Sequence, residues 1–227
     1  MDSHDNYQPL QITATMRTAV VADEFLTLDG VLLYQAMRQK HGAQLFTLPG
    51  GYKGELAEVP LRVINRGEPH WYYACSWAYP TRAWWLAEGV DYWNKRFDNG
   101  LSDVIDFANK RGKVIIEQGQ FKAYHMPIFY KVVDKITWFA VGDAAKIEQL
   151  LFTMTHIGKK TSQGWGEVIR WQVEPIAEDW SSWKDGKLTR AVPLQNLTGH
   201  SFPLNMTRYG VRPPYYLADN QCFVAMP

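Results

Sequence analysis

The sequence predicts an α+β chain, and three observations carry that reading. One is a helix running into a strand between Asp143 and Val173. There Ile147, Leu150, Leu151 and Met154 recur at the spacing of a single buried helical face, and Ile169, Trp171 and Val173 then alternate with Arg170, Gln172 and Glu174. A second is the matching pair near the start: Ile12, Ala14 and Met16 share one face of a strand, and Leu28, Leu32, Leu33, Ala36 and Met37 one face of a helix. The third is the apolar run 136–141, which leads directly into the later helix. The order is strand, helix, strand or hairpin, insertion, strand, helix, strand. Two such βαβ-like halves with an antiparallel outcome make a ferredoxin-like sheet with helices on one face. A large inserted thumb and an extended C-terminal tail complete the expectation.

Element by element, residues 1–9 are expected to fray and 11–21 to form a strand. Thr27 or Asp29 opens the first helix and Gly42 ends it. Pro49-Gly50-Gly51-Tyr52-Lys53-Gly54 makes a flexible turn. Residues 60–65 and 71–77 pair as a hairpin around Arg66-Gly67-Glu68-Pro69. Asp143 caps the second helix, its carboxylate accepting a free first-turn N–H at the positive end of the dipole. The divisions that follow are 1–78 and 132–176 for the two halves, 79–131 for the thumb and 177–227 for the C-terminal extension. In that extension only 188–194 reads as a strand, and from Leu197 the chain is expected to wrap the body without regular structure.

Between the second helix and its strand lies Gly158-Lys159-Lys160-Thr161-Ser162-Gln163-Gly164-Trp165-Gly166. Glycines there permit positive φ and close backbone approach, and two lysines with hydroxyl and amide side chains fill the gaps. Backbone N–H groups, ammonium charge and missing bulk suit a phosphodiester backbone. A plain helix-to-strand connection with solvated lysines fits the spacing equally well. A nucleotide-binding P-loop does not fit, because Thr153 stands where its first glycine belongs and a helix, not a strand, comes before.

Lys and Arg number 24 against 23 acids, so any nucleic-acid role rests on charge segregation rather than overall charge. Residues 1–30 carry five acids and one arginine, whereas 94–131 carry seven basic residues and four acids. That insertion begins with Trp84, Trp85, Tyr92, Trp93 and Phe97 and continues with Lys95, Arg96, Lys110, Arg111, Lys113 and Lys122. Such a mixture suits a thumb gripping a single strand, or a subdomain packing on the sheet through its rings. Cys75 and Cys222 have no metal or redox spacing, and no two histidines lie closer than 29 residues. No metal or cofactor is expected. The polar start and the lack of a spanning apolar run imply a cytoplasmic protein without membrane contact.

The helix, the G-x-x-x-x-x-G-x-G loop with its basic residues and the following strand resemble the glycine-rich loop of the RAMP superfamily of CRISPR-associated RNA-binding proteins. Three further segments resemble one branch, the small 5′-handle-binding (Cas-five-like) subunit of type IV effector complexes. They are Leu26-Thr27-Leu28-Asp29-Gly30-Val31-Leu32, Gly119-Gln120-Phe121-Lys122-Ala123-Tyr124-His125-Met126-Pro127 and Arg212-Pro213-Pro214-Tyr215-Tyr216. The resemblance implies an RRM-type sheet and a non-catalytic subunit that holds the 5′ handle of a CRISPR RNA and caps the backbone filament. Its implied partners are backbone RAMP subunits, the large subunit, target DNA near the protospacer-adjacent motif and an accessory helicase. The implied RNA contacts are the whole loop Gly158–Gly166 with Arg170, Lys122, Tyr124, His125, Lys113 and Arg212.

An alternative is a RAMP endoribonuclease that cuts repeat RNA without metal. It needs an acid or base and a lysine at one phosphate, for which Lys122, Tyr124 and His125 are the candidates, with His156 in reserve. Neighbours on an extended segment diverge, which argues against that trio. No other catalytic constellation stands out, so the chain is expected not to be an enzyme.

Overall fold

The computed structural model describes residues 6–23, 25–47, 55–78, 86–98, 100, 117–197 and 205–227. In chain order these contain β1 (Tyr7–Met16), α1 (Leu28–His41), β2 (Val63–Ile64), β3 (Tyr72–Tyr73), β4 (Ala87–Lys95), β5 (Tyr124–Val132), β6 (Lys135–Asp143) and α2 (Ala144–Phe152). After them come β7 (Val168–Pro175), β8 (Trp183–Lys184), β9 (Lys187–Leu188), β10 (Val192–Pro193), β11 (Asn205–Gly210) and β12 (Gln221–Met226). The architecture is α+β, with antiparallel pairing throughout these strands and, among the described residues, two α-helices. The 49–54 turn, Trp84, Trp85, Lys110, Arg111 and Lys113 lie outside the described residues.

The main sheet has the order β6-β1-β7. Strand alternation puts Leu10, Ile12, Ala14 and Met16 of β1 on the face they share with Ile136, Trp138 and Ala140 of β6. Leu28, Val31 and Leu32 of α1 and Ile147 and Leu151 of α2 join the same core, so both helices cover one face. Burying each of these large side chains stabilises the fold by about 1.5–3 kcal/mol. α1 begins and ends where expected, but its entry differs. Thr27 makes no side-chain cap; its hydroxyl instead hydrogen-bonds the Tyr215 phenol oxygen, 2.8 Å away. Asp143 caps α2 as read from sequence, accepting from the Lys146 N–H at 3.1 Å.

Three details depart from expectation. The first strand ends at Met16, because 17–21 leaves the sheet and pairs elsewhere: Val20 bridges Lys131, and Val21 bridges Lys159. Ile169 is exposed rather than alternating inward. The β1–β7 register shifts between Thr15 and Met16, so Val168 takes the core position and Ile169 is bulged out. The expected 60–65/71–77 hairpin pairs at Val63–Tyr73 and Ile64–Tyr72, but among the described residues it joins the main sheet only through isolated bridges, Leu61 to Gly142 and Cys75 to Ala140, on the outer edge of β6.

The C-terminal extension also departs from expectation. Instead of wrapping without regular structure, β10, β12 and β11 form a second antiparallel sheet. Its core joins Val192, Val211, Val224 and Ala225 to Tyr72 and Trp77 from far earlier in the chain. The two cores meet at a buried polar joint. Arg190, 1% exposed, donates to the carbonyls of Tyr73, Cys75 (3.0 Å), Ala191 (3.1 Å) and Val211 (2.7 Å). Asp29, fully buried, accepts from Tyr215 and from the Gly30 N–H at 2.9 Å. Burial, with the Asp29 carboxylate beside them, pushes the Cys75 thiol and the Tyr215 phenol up, so both stay protonated at neutral pH.

Candidate nucleic-acid interface

The glycine-rich loop is built against the segment that leaves β1. Its neck closes where the Ile157 N–H donates to Gly166 O at 2.9 Å and the Gly166 N–H to Ala19 O at 2.8 Å. The Lys159 N–H donates to Val21 O at 2.6 Å. Thr18 bridges the far side, donating through its hydroxyl to Gly164 O and accepting from the Glu167 N–H, both at 2.9 Å. Thr161–Gln163 form a single 3₁₀ turn between Lys160 and Gly164, both in the left-handed region. Nothing in the sequence pattern singles out Thr18 or Val21 as supports.

The loop glycines do different jobs. At Gly166, φ is +74° and a Cβ would lie 1.9 Å from Ile157 O; at Gly158, φ is +86° and a Cβ would lie 2.5 Å from Val21 O. These two exist so that the loop can dock. Gly164, at φ +89°, has nothing within 4 Å of a would-be Cβ, so its open side faces outward. Gly166→Ala is therefore expected to destabilise the fold by more than the roughly 1–3 kcal/mol of backbone strain alone, with a matching fall in melting temperature. Gly164→Asn, a residue that tolerates this backbone region, is expected to leave it nearly unchanged. Thermal unfolding of the two variants checks the split.

Beside the loop stands the β4–β5 hairpin. One of its faces presents Trp93 and Tyr124, stacked with ring centroids 5.7 Å apart, and Tyr130, stacked on Trp165 of the loop at 5.0 Å. Lys160 lies 4.8 Å above the Trp93 ring, while Lys95 and Lys122 lie 5.8 and 5.9 Å from the Tyr124 ring. Three ammonium groups thus surround a pair of stacked, half-buried rings, with Ser162, Gln163 and Gly164 exposed alongside. Cations over aromatic faces with neighbouring donors suit a ligand of flat rings and phosphates. Lys159 turns away to Asp23 at 2.7 Å. Both partners are largely exposed, so that pair is worth about 0–1 kcal/mol and yields readily to a stronger anion.

The remaining candidates divide. Tyr124 and His125 point to opposite faces of the hairpin: His125 stacks on Tyr92 at 4.5 Å and hydrogen-bonds Asn94 at 2.6 Å. Lys122, Tyr124 and His125 therefore do not converge on one atom. His156, half-buried, is bonded to Thr155 at 2.9 Å. Arg170 is exposed on the sheet face away from the helices, level with Thr15 and Lys135. Arg212 is used inside the fold, donating to Pro69 O at 2.9 Å and Trp71 O at 3.1 Å with its guanidinium 4.5 Å from the Trp71 ring. It ties the tail to the 69–71 turn. Lys113 lies outside the described residues. Trp93 and Lys95, legible in the sequence only as composition, prove central once the hairpin is seen against the loop.

The chain matches the family described as CRISPR type IV associated protein Csf3 over residues 8–227. It belongs to that family. The type IV CRISPR-associated family suggested by the sequence resemblance is thereby borne out. No curated protein matches it. Among solved structures it is similar to a chain of "Cryo-EM structure of the Type III-B Cmr-beta bound to cognate target RNA", with 12% identity and a TM-score of 0.36. The overlap covers 76% of this chain and 62% of that one, so it spans less than two thirds of that chain's length.

Proposed function

We propose that this Csf3-family chain is a non-catalytic RNA-binding subunit of a type IV CRISPR ribonucleoprotein. It holds the 5′ handle of the CRISPR RNA and caps the filament of backbone subunits, next to the large subunit, target DNA and an accessory helicase in the cytoplasm. The observation that carries the reading is the composite of loop and hairpin, in which Lys160, Lys95 and Lys122 gather around Trp93 and Tyr124. In this reading the β4–β5 hairpin is the thumb. The β6-β1-β7 sheet is the body of a ferredoxin-like fold whose fourth edge is reduced to the bridges at Leu61 and Cys75.

The test is salt-dependent binding of repeat-derived RNA. Lys159→Ala with Lys160→Ala is expected to weaken binding across sequences, and to reduce the log–log salt slope by about 0.7 for each lost phosphate contact. An unchanged slope in a folded variant returns the loop to a purely geometric role. Gly164→Asn, which leaves the fold intact, is expected to weaken binding as well if the RNA backbone crosses the open side of the loop.

Catalysis is tested separately. Because Tyr124 and His125 face opposite sides of the hairpin, purified protein is expected to leave cognate repeat RNA uncut over hours, with and without magnesium. Cutting of the ribose form that a 2′-deoxy substitution blocks, and that His125→Ala or His156→Ala abolishes, would overturn the non-catalytic assignment.

A further inference from the structure

A cavity of about 430 Å³ opens on the C-terminal sheet, and it shares no residue with the loop and hairpin. It exists because β10 is short. β10 pairs with β12 only at Val192–Ala225 and Pro193–Val224, so residues 221–223 have β11 on one side and the cavity on the other. His70, Gln195, Arg208, Gln221 and Phe223 line it, and no carboxylate does. Arg208 and Phe223 are register partners on β11 and β12, so their side chains stand side by side on one face. Phe223 is 67% exposed, an unusual position for a phenylalanine in a sheet that has its own core. His70 Nδ1 is buried and has no hydrogen-bond partner among the described residues.

We propose that this cavity binds a single unpaired nucleotide. The base stacks on Phe223, the phosphate pairs with the Arg208 guanidinium, and the polar rim of the base meets His70 and the open edge of β12. A flat exposed ring beside a fork of N–H donors is the pairing that a base and its phosphate require. The cavity is an open groove with room for one nucleotide. Pro193, Leu194 and Cys222 complete the lining as an apolar wall beside the Phe223 ring. The chain would then hold nucleic acid at two separate places, and the second would accept one nucleotide rather than track a strand.

The experiment titrates the four ribonucleoside 5′-monophosphates into the full chain and reads saturation-transfer NMR or calorimetry. At least one is expected to bind saturably, with its parent nucleoside binding more weakly. Phe223→Leu keeps apolar bulk without a π face, and Arg208→Gln keeps length without charge; each is expected to weaken binding about tenfold or more at unchanged melting temperature. In a Lys159→Ala, Lys160→Ala background the losses caused by Phe223→Leu and Arg208→Gln are expected to persist, which separates this site from the glycine-rich loop. Absence of saturable binding overturns the proposal, as does binding that both pocket variants retain. Competition by inorganic phosphate as strong as that of the nucleotide also overturns it, since the site would then be one for anions only.

Discussion

Arg190→Ala is expected to destabilise the protein by about 3–5 kcal/mol, the usual cost of removing one member of a buried charged network. The guanidinium is buried between the two cores, and it donates to four carbonyls from three separate segments of chain. Its loss also removes the electrostatic attraction between the guanidinium and Asp29, on the first turn of α1, which is part of what keeps Arg190 protonated against burial. At roughly 2–4 °C per kcal/mol for a chain this size, the melting temperature should fall by about 6–20 °C. Arg190→Lys retains charge but lacks the planar fork that reaches several carbonyls at once, so it should recover only part of the loss. Calorimetric unfolding measures both. A shift within a degree or two for the alanine variant would mean that the two cores are joined by packing alone.

Trp93→Ala is expected to weaken repeat-RNA binding by about 1–3 kcal/mol, or roughly 5- to 150-fold, the range for one base–aromatic stack. Trp93 is the hub of the composite: it stacks on Tyr124 and lies beneath the Lys160 ammonium. Removing it deletes a stacking surface and also frees the lysine to wander. Trp93→Phe, which keeps a π face, should lie close to the parent protein. The hairpin lies outside both buried clusters, and Ile128 is its one buried residue, so the alanine variant should melt within a few degrees of the parent. Undiminished affinity in a folded Trp93→Ala protein would move the RNA path off the hairpin and leave the loop to act alone.

Much of the main body was legible from local pattern. α1 was bounded by Thr27 and Gly42, α2 was capped by Asp143, and the buried faces of both helices and of β1 followed from periodicity, because one-sided burial imposes a repeat on the sequence. Ile169 broke that rule: a bulge costs one residue of register, and nothing in the alternation of hydrophobic and polar residues marks where it falls. β11 and β12 escaped for another reason. Asn205 to Arg208 are all exposed, and the core beneath the second sheet is completed by Tyr72 and Trp77, so neither strand has the one-sided pattern that reveals a strand.

The candidate site divides along the same line. The loop was legible in the chain: three glycines and two lysines lie between a helix and a strand, where spacing can be read. So was the divergence of Tyr124 and His125, because alternation is a property of the strand itself. Which glycine is open and which is locked follows from docking: Ile157 lies against Gly166, and nothing lies within 4 Å of a Cβ at Gly164. Docking alone brought Trp93 under Lys160, two residues from segments paired through the bridges of Val20 to Lys131 and Val21 to Lys159. Contacts between distant segments are set by how sheets and loops dock, and no local repeat in the chain encodes them.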